Sequence, residues 1–547
     1  MTKVDSIEKV DQTGAIRHQR LRAPTEHGQA FLSRPREELS WLIRTNRELR
    51  SVFDFQFSGS TNQGSHICSL ARHELVSKAL RYTRRYLDVD FNLDGLDNIP
   101  VILSGHQPTL FHPGVWFKNF LLSDLASHCG GVGLNLVVDN DICVSTGINF
   151  PKSLAPGRAT MGNVPLDRPS ANLPYEECPI NDWEFLREFP ARFRDSDADS
   201  SSDNLVEPLW RELAIVRKRM GNMRDTLLGT LLAGARHRLE SFYGLKTLEL
   251  PISWMAETDS FAQFSALILA NLPRFREIYN RRLLEYRSIH RIRSRSHPVP
   301  ELASRDDGWL EAPFWIWHQD RPTRGRLFCR TVGNQLEISD LADIHYRFDP
   351  DHAAELWVEI HRNGIRIRPR ALMTTLFARL LVSDLFIHGI GGAKYDQLTD
   401  AIAEDFFELQ LPSYLTATAT FKLPFDREVF TRRDLVRRKQ QTREFRFHPE
   451  NFIDNDAGQA FELVQQKREW TRGKFKEERS KRKHDAIDQI NAKLQKLAPV
   501  SEADLREKEA QVAGRLRASK VLGSREYSIA LHPETIVEDL KQMASTE

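Results

Sequence analysis

Residues 100–118 read PVILSGHQPTLFHPGVWFK. The apolar run 100–103 meets a turn of small and polar residues, Gly105-His106-Gln107-Pro108, and His112-Pro113-Gly114 then opens an amphipathic stretch over 115–128. Strand, tight turn and helix in that order form the opening unit of a nucleotide-type α/β domain. The turn then sits at the carboxyl edge of a sheet, where the free N–H groups of the helix start point at whatever binds. His106, Gln107 and His112 in such a loop are suited to contact a phosphate and to protonate its bridging oxygens. The alternative is a rigid turn with solvated histidines, and recurrence of the signal is what favours the functional reading.

The signal does recur. The run 134–138 (LNLVV) ends in Asp139-Asn140-Asp141, and 247–253 (TLELPIS) is followed by Glu257-Thr258-Asp259. A strand near 385–388 ends in a loop at 389–392 with a helix over 395–407, and a last strand follows at 414–423. Five parallel-type strands, each delivering polar residues at its carboxyl end, predict an α/β doubly wound parallel sheet. Its parts fall in 96–150, 246–294 and 368–454. Two insertions interrupt it: a helical one over 151–245 and an antiparallel β meander over 295–367. The meander is read from short aromatic or β-branched runs at 312–318, 326–332 and 335–338, with a turn at Gly333-Asn334. Residues 1–95 read as a helical extension, with Leu70, Leu75, Ala79 and Tyr82 on one helix face.

The end of the chain differs. Ile487, Ile490, Leu494 and Leu497 are spaced 3, 4 and 3, and Leu505, Val512 and Leu516 continue the seam past Ala498-Pro499. This predicts an α-helical coiled-coil hairpin over 455–522, with a short segment at 523–547. Phe461, Val464, Trp470 and Phe475 lie off the seam, so a homodimer through the hairpin is expected.

Composition narrows the partners. Lys plus Arg (77) nearly cancels Asp plus Glu (75), so no global field points to nucleic acid or membrane. The basic runs at 432–439 and 481–483 are interleaved with acids or apolar residues and read as solvated helix faces. Five scattered cysteines without a Cys-x-x-Cys pair argue against a disulfide framework or thiolate zinc site. The most apolar window, 371–390, is broken by Arg379, Asp384 and His388 and reads as a buried helix and strand rather than a membrane span. The opening residues lack the apolar core of a signal peptide, and the cytoplasm is the expected location.

The strongest single string is His388-Gly389-Ile390-Gly391-Gly392-Ala393-Lys394-Tyr395-Asp396. Its glycines let a backbone approach an anion closely and Lys394 supplies charge, although the Gly-Lys-Ser/Thr of a Walker loop is absent. Asp139 and Asp141, then Glu257 and Asp259, form acidic pairs able to hold Mg²⁺, a ribose or a substrate amine; helix capping is the plainer reading. Arg366, Arg368 and Arg370 alternate along an extended run and could present guanidinium groups to a carboxylate or phosphate. Trp315 and Trp317 read as packing residues.

These residues resemble the bacillithiol-biosynthesis cysteine-adding enzyme family (BshC). The resemblance rests on Gly105-His106-Gln107-Pro108, His112-Pro113-Gly114 and Lys118. It extends to Arg368-Pro369-Arg370, to the glycine string through Lys394 and Tyr395, and to Ser524-Arg525-Glu526-Tyr527 with Leu531-His532-Pro533 after a coiled coil. It covers roughly residues 95–540 and implies a Rossmann-like core and a dimerising coiled coil. The implied activity is a nucleotide-dependent ligase joining cysteine or a similar amino acid to a carboxylate-bearing acceptor such as a sugar–malate conjugate. Two departures are visible: a Gln-Gln pair is here His106-Gln107, and a Glu-Asp-His-Asp string is here Asp139-Asn140-Asp141.

The expected catalytic residues are His106, His112, Lys118, Asp139 and Asp141. ATP or another nucleotide, with Mg²⁺, is expected against Gly105, Gln107, Gly114, Gly389, Gly391, Gly392, Lys394 and Tyr395. The small-molecule substrate is expected against Glu257, Asp259, Arg368, Arg370 and His388. A nucleotidyl- or glycosyl-type transferase and a non-catalytic nucleotide-binding scaffold remain as alternatives.

Overall fold

In the computed structural model the described residues are 16–18, 20–60, 67–144, 147–155, 158–168, 172–196, 203–221, 226–425, 428–453, 458–472 and 480–545. Phe475 and most of the charged run before Lys481 lie outside them. The strands, in chain order, are β1 (Gln29–Leu32), β2 (Val101–His106), β3 (Val132–Val137), β4 (Gly147–Ala155), β5 (Arg158–Pro165), β6 (Leu248–Pro251), β7 (Leu310–His318), β8 (Arg321–Val332), β9 (Gln335–Ser339), β10 (His345–Phe348), β11 (Ile365–Pro369), β12 (Leu385–His388) and β13 (Tyr414–Thr420). They divide between two compact units, the larger formed by Met1–Ile148, Val164–Lys422 and Arg525–Glu547, the smaller by Asn149–Asn163 and Leu423–Ser524.

The larger unit is mixed α/β. Its main sheet has the order β1-β13-β12-β2-β3-β6. The five strands read from the sequence pair in parallel. Buried on both faces, β3 (VGLNLV) and β13 (YLTATAT) have no exposed position, which is why they read as unbroken runs rather than alternations. The chain starts at β2, steps outward through β3 to β6, then returns to β12 beside β2 on the other side. The direction of winding therefore reverses between β2 and β12, where crevices form at carboxyl ends.

The second sheet, β10-β9-β8-β7-β11, is the expected antiparallel meander, with β11 added at its edge. Arg366 and Arg368 lie on β11 and Arg370 caps the helix after it, so the run is extended as read.

Four expectations change. The N-terminal extension is not only helical: the short QAFL of β1 closes the main sheet as an antiparallel edge against β13, too few residues to show a period. The segment over 151–245 begins as a β4–β5 ribbon before its helices. No glycine loop runs over 389–392, because the helix Ile390–Phe407 starts directly after its Gly389 cap and takes Gly391 and Gly392 into its first turn.

The fourth change concerns the hairpin. Among its described residues the smaller unit holds four α-helices, Arg432–Phe447, Gly458–Arg472, Ser480–Leu497 and Glu502–Leu522. The first packs on the fourth and the second on the third. The seam is thus divided between two partners. Ile490 and Leu494 bury against Leu463 and Val464, while Leu497 stays 40% exposed. A narrow a/d stripe needs only one neighbouring helix, and here each stripe finds one within the unit.

Candidate functional site

The carboxyl ends of β2 and β12 lie side by side, with Ile387 paired to Ser104 one step before His388 and Gly105. Each strand runs into a helix. His112 caps the first, Pro113–His128, its Nδ1 accepting from Gly114 N (3.1 Å), and Pro113 supplies a first position needing no donor. Gly389 caps the second, and its bare first turn leaves Gly391 and Gly392 exposed. A Cβ at Gly392 would lie 2.7 Å from His388 Nδ1, so only glycine admits that imidazole.

Lys118 projects back from the first helix to the end of β2. It is 3% exposed, its Nζ donates to Gly105 O (2.8 Å), and it forms no ion pair among the described residues. Burial and the nearby Arg236 charge lower its pKa to about 7. Burial and Lys118 lower His106 to about 3, and burial with Arg525 and Lys118 lowers His112 to about 4. His106 Nδ1 faces Gln107 O at 3.3 Å, and its ring packs edge-on to Phe111. Burial thus leaves both imidazoles neutral and Lys118 only partly charged, with no carboxylate bonded to any of the three, which is the setting an anion would complete.

His388 is buried, with its Nε2 at 2.7 Å from Asp396 Oδ2. Thr375 Oγ1 donates to the other oxygen (2.8 Å) and Arg379 NH1 to the same one (2.7 Å). Burial alone would raise Asp396, but His388 and Arg379 hold its carboxyl well below the usual range. The carboxylate fixes the imidazole with Nε2 as donor and leaves Nδ1 facing Gly392.

A second cluster lies past β3 and β6. Asp139 accepts from Ser253 Oγ and N, and burial raises its carboxyl to about 6 despite those bonds. Glu176 N donates to Asp139 O (2.8 Å), and the Glu176 carboxylate takes Arg368 through both Nε and NH2. Burial raises Glu176 to about 8 against that arginine. Glu257 lies 3.4 Å from Arg368 and 3.7 Å from His361, which burial and Arg368 lower to about 4. Gln107 Nε2 donates to Asp141, which also meets Arg324 at 3.3 Å, so this oxygen pair ties the first loop to the meander.

The structure therefore brings together Gly105, His106, His112, Gly114 and Lys118, with His388 and Gly389, Gly391 and Gly392 at the adjacent strand end. It brings Asp139, Glu257 and Arg368 into the second cluster. Gln107 and Asp141 meet each other at the first loop, and the remaining residues are not gathered. Lys394 acts on His290, and Tyr395 packs edge-on to His297 at 5.6 Å, because the early helix start turns both toward the 272–297 segment. Arg370 is taken by Glu311 (2.8 Å) and stacks on Trp315. Asp259 is exposed in the first turn after the Thr258 cap. No group of three or more His, Cys, Asp or Glu among the described residues is placed to hold a metal ion. A cleft of about 260 Å³ on the helical segment is lined by Trp183, Glu207 and Trp210 and includes none of these residues.

Sequence reading missed Glu176, His361, Asp396, Arg525 and His532. Asp396 stood in the quoted string, eight residues after His388, and Arg525 and His532 stood in the C-terminal motifs, where no spacing rule ties them to strand ends so far away in the chain. No helix among the described residues is long and apolar enough to cross a membrane. No family model matches this chain, and no curated protein matches it.

Proposed function

We propose that the chain is a nucleotide-dependent carbon–nitrogen ligase of the bacillithiol cysteine-adding type, acting on cysteine or a similar amino acid and a carboxylate-bearing acceptor such as a sugar–malate conjugate. The observation that carries this reading is Lys118, a buried amine without a carboxylate partner among the described residues, set at the winding reversal between two helix N-termini. An uncompensated buried cation is costly. Its retention makes sense if an anion completes it, and a nucleotide phosphate is the anion that Rossmann-like crevices of this kind take.

The acceptor carboxylate attacks a nucleotide phosphorus, and the bond to the leaving phosphate breaks. The amine of the amino acid then attacks the acyl carbon, the acyl C–O bond breaks, and phosphate or the nucleoside monophosphate leaves with that oxygen. Lys118, His106 and the N–H groups at the start of the Ile390–Phe407 helix hold the charge that develops on phosphorus. Asp139, with its carboxyl near 6, accepts the proton lost by the amine. His388 Nδ1, aimed by Asp396, accepts a hydrogen bond from the ligand side. Magnesium would arrive with the nucleotide, and no step is drawn through it. The same reading carries a homodimer through the C-terminal helices, for which light scattering at twice the chain mass is expected and the single chain mass would contradict it.

The test is release of phosphate or pyrophosphate from ATP in a panel of amino acids and hydroxy-acid glycosides. Release that requires both an amino acid and an acceptor is expected. Nucleotide binding without such release favours the transferase, and absence of nucleotide binding favours a scaffold.

A further inference from the structure

Arg525 reaches the same place from the far end of the chain. Its NH1 donates to Thr420 Oγ1 (3.0 Å) and its NH2 to Thr418 Oγ1 (2.9 Å), both hydroxyls standing at the carboxyl end of β13. Thr418 Oγ1 in turn donates to Gly114 O (3.2 Å). The guanidinium lies so close over the helix start that a Cβ at Gly114 would sit 2.6 Å from NH2 and 2.9 Å from His112 Cε1. A guanidinium carries five N–H donors, and the two bonds to Thr418 and Thr420 leave it a surplus. It forms no ion pair among the described residues; burial lowers its pKa and the charge of the adjacent Glu526 opposes that. Ile529 N donates to Phe111 O (2.8 Å), which pins the following segment on the first loop. That segment carries His532, which is 2% exposed and near His112; the Nε2 of His532 has no hydrogen-bond partner among the described residues.

We infer that Arg525 is a ligand-binding residue, holding a phosphoryl group over the first turn of the Pro113–His128 helix together with His112 and Lys118. The inference rests on the nucleotide reading above and assigns the C-terminal segment a part in the site. Two neutral hydroxyls orient the guanidinium without neutralising it, and glycine at 114 admits it close over the helix start, where any side chain would collide with it. A planar fork of that kind matches a tetrahedral oxyanion through two bonds, which a lysine cannot reproduce.

The experiment is calorimetric titration of the full chain with ATP, inorganic pyrophosphate and adenosine, using wild type, Arg525→Gln and Arg525→Lys. Arg525→Gln is expected to weaken ATP and pyrophosphate at least tenfold and leave adenosine unchanged, with Arg525→Lys between the two. Equal affinity of wild type and Arg525→Gln for pyrophosphate, or parallel loss of adenosine, overturns the inference and leaves the nucleotide reading standing. A wild type that binds neither ATP nor pyrophosphate overturns that reading itself. Should Arg525→Gln not fold, phenylglyoxal labelling of the wild type answers the question: pyrophosphate is expected to protect Arg525, and labelling at an unchanged rate contradicts the claim.

Discussion

Two groups of buried charges meet across Phe111, and they are built in opposite ways. Arg236 stacks on one side of that ring at 5.2 Å, between Glu240 (2.8 Å) and Glu249. Its carboxylates also accept from Trp116, Asn119, Asn135 and Tyr86. His106 meets the same ring edge-on, and Lys118, His112 and Arg525 lie near it with no ion pair to a carboxylate among the described residues. The first group is closed on itself, with opposite charges matched inside the fold. The second is left open. Burial and charge are common to both, so neither distinguishes a site from a scaffold; the missing counter-charge does.

The largest expected effect breaks the closed group. Arg236→Met strands two buried glutamates, and unfolding by urea should show a loss of about 3–5 kcal/mol. A loss under about 1 kcal/mol would mean the network is not what holds the Leu228–Phe242 helix to β6. The open group should behave the other way. Lys118→Met removes an unmatched charge and should raise stability by about 1 kcal/mol or more, while lowering ATP-dependent turnover on the order of a hundredfold. Loss of stability together with activity would make Lys118 a structural residue.

His388 offers a sharper cut within the open site. Asp396→Asn keeps the shape but removes the charge that orients the imidazole, and turnover should fall on the order of tenfold or more with ATP affinity retained. Equal activity would leave His388 as core packing.

The smallest effects are slopes with pH. Lys118 in the folded chain loses its proton near 7, whereas the ordinary lysine value is 10.5. Between those values the unfolded chain binds the extra proton, so stability should rise with pH, and Lys118→Met should remove that rise. Glu176 is raised from 4.5 to about 8. The folded chain holds the extra proton between them, so stability should fall as pH rises, and Glu176→Gln should remove the fall. Urea midpoints measured from pH 5 to 10 read both slopes, and slopes of the reverse sign contradict the assignments.

Much of this was legible in the sequence. The five parallel strands and the meander were readable because doubly buried strands appear as apolar runs and turn residues mark their ends. So was the His106–Lys118 region, since a strand, a turn and a helix are all local. The short edge β1 and the early start of the Ile390–Phe407 helix were not. Four residues carry no period, and glycine lowers helix propensity even where a strand end and tertiary packing override it. Lys394 and Tyr395 were assigned to the crevice on a loop that the helix replaces. Arg525 and Glu176 join the clusters through contacts distant in the chain, and nothing in their own neighbourhoods marks them; Asp396 stood in the quoted string, but its pairing with His388 eight residues before depends on the early helix start.

The most direct test is titration of the full chain with ATP at pH 8 in two buffers of different ionisation enthalpy. ATP is fully ionised there, and Lys118, with its pKa near 7, is mostly neutral. An anion placed against it restores its charge, so binding with net proton uptake in wild type, and without uptake in Lys118→Met, is the expected result. Proton release, uptake unchanged in Lys118→Met, or no binding at all would contradict the assignment of the open cluster as a phosphate site.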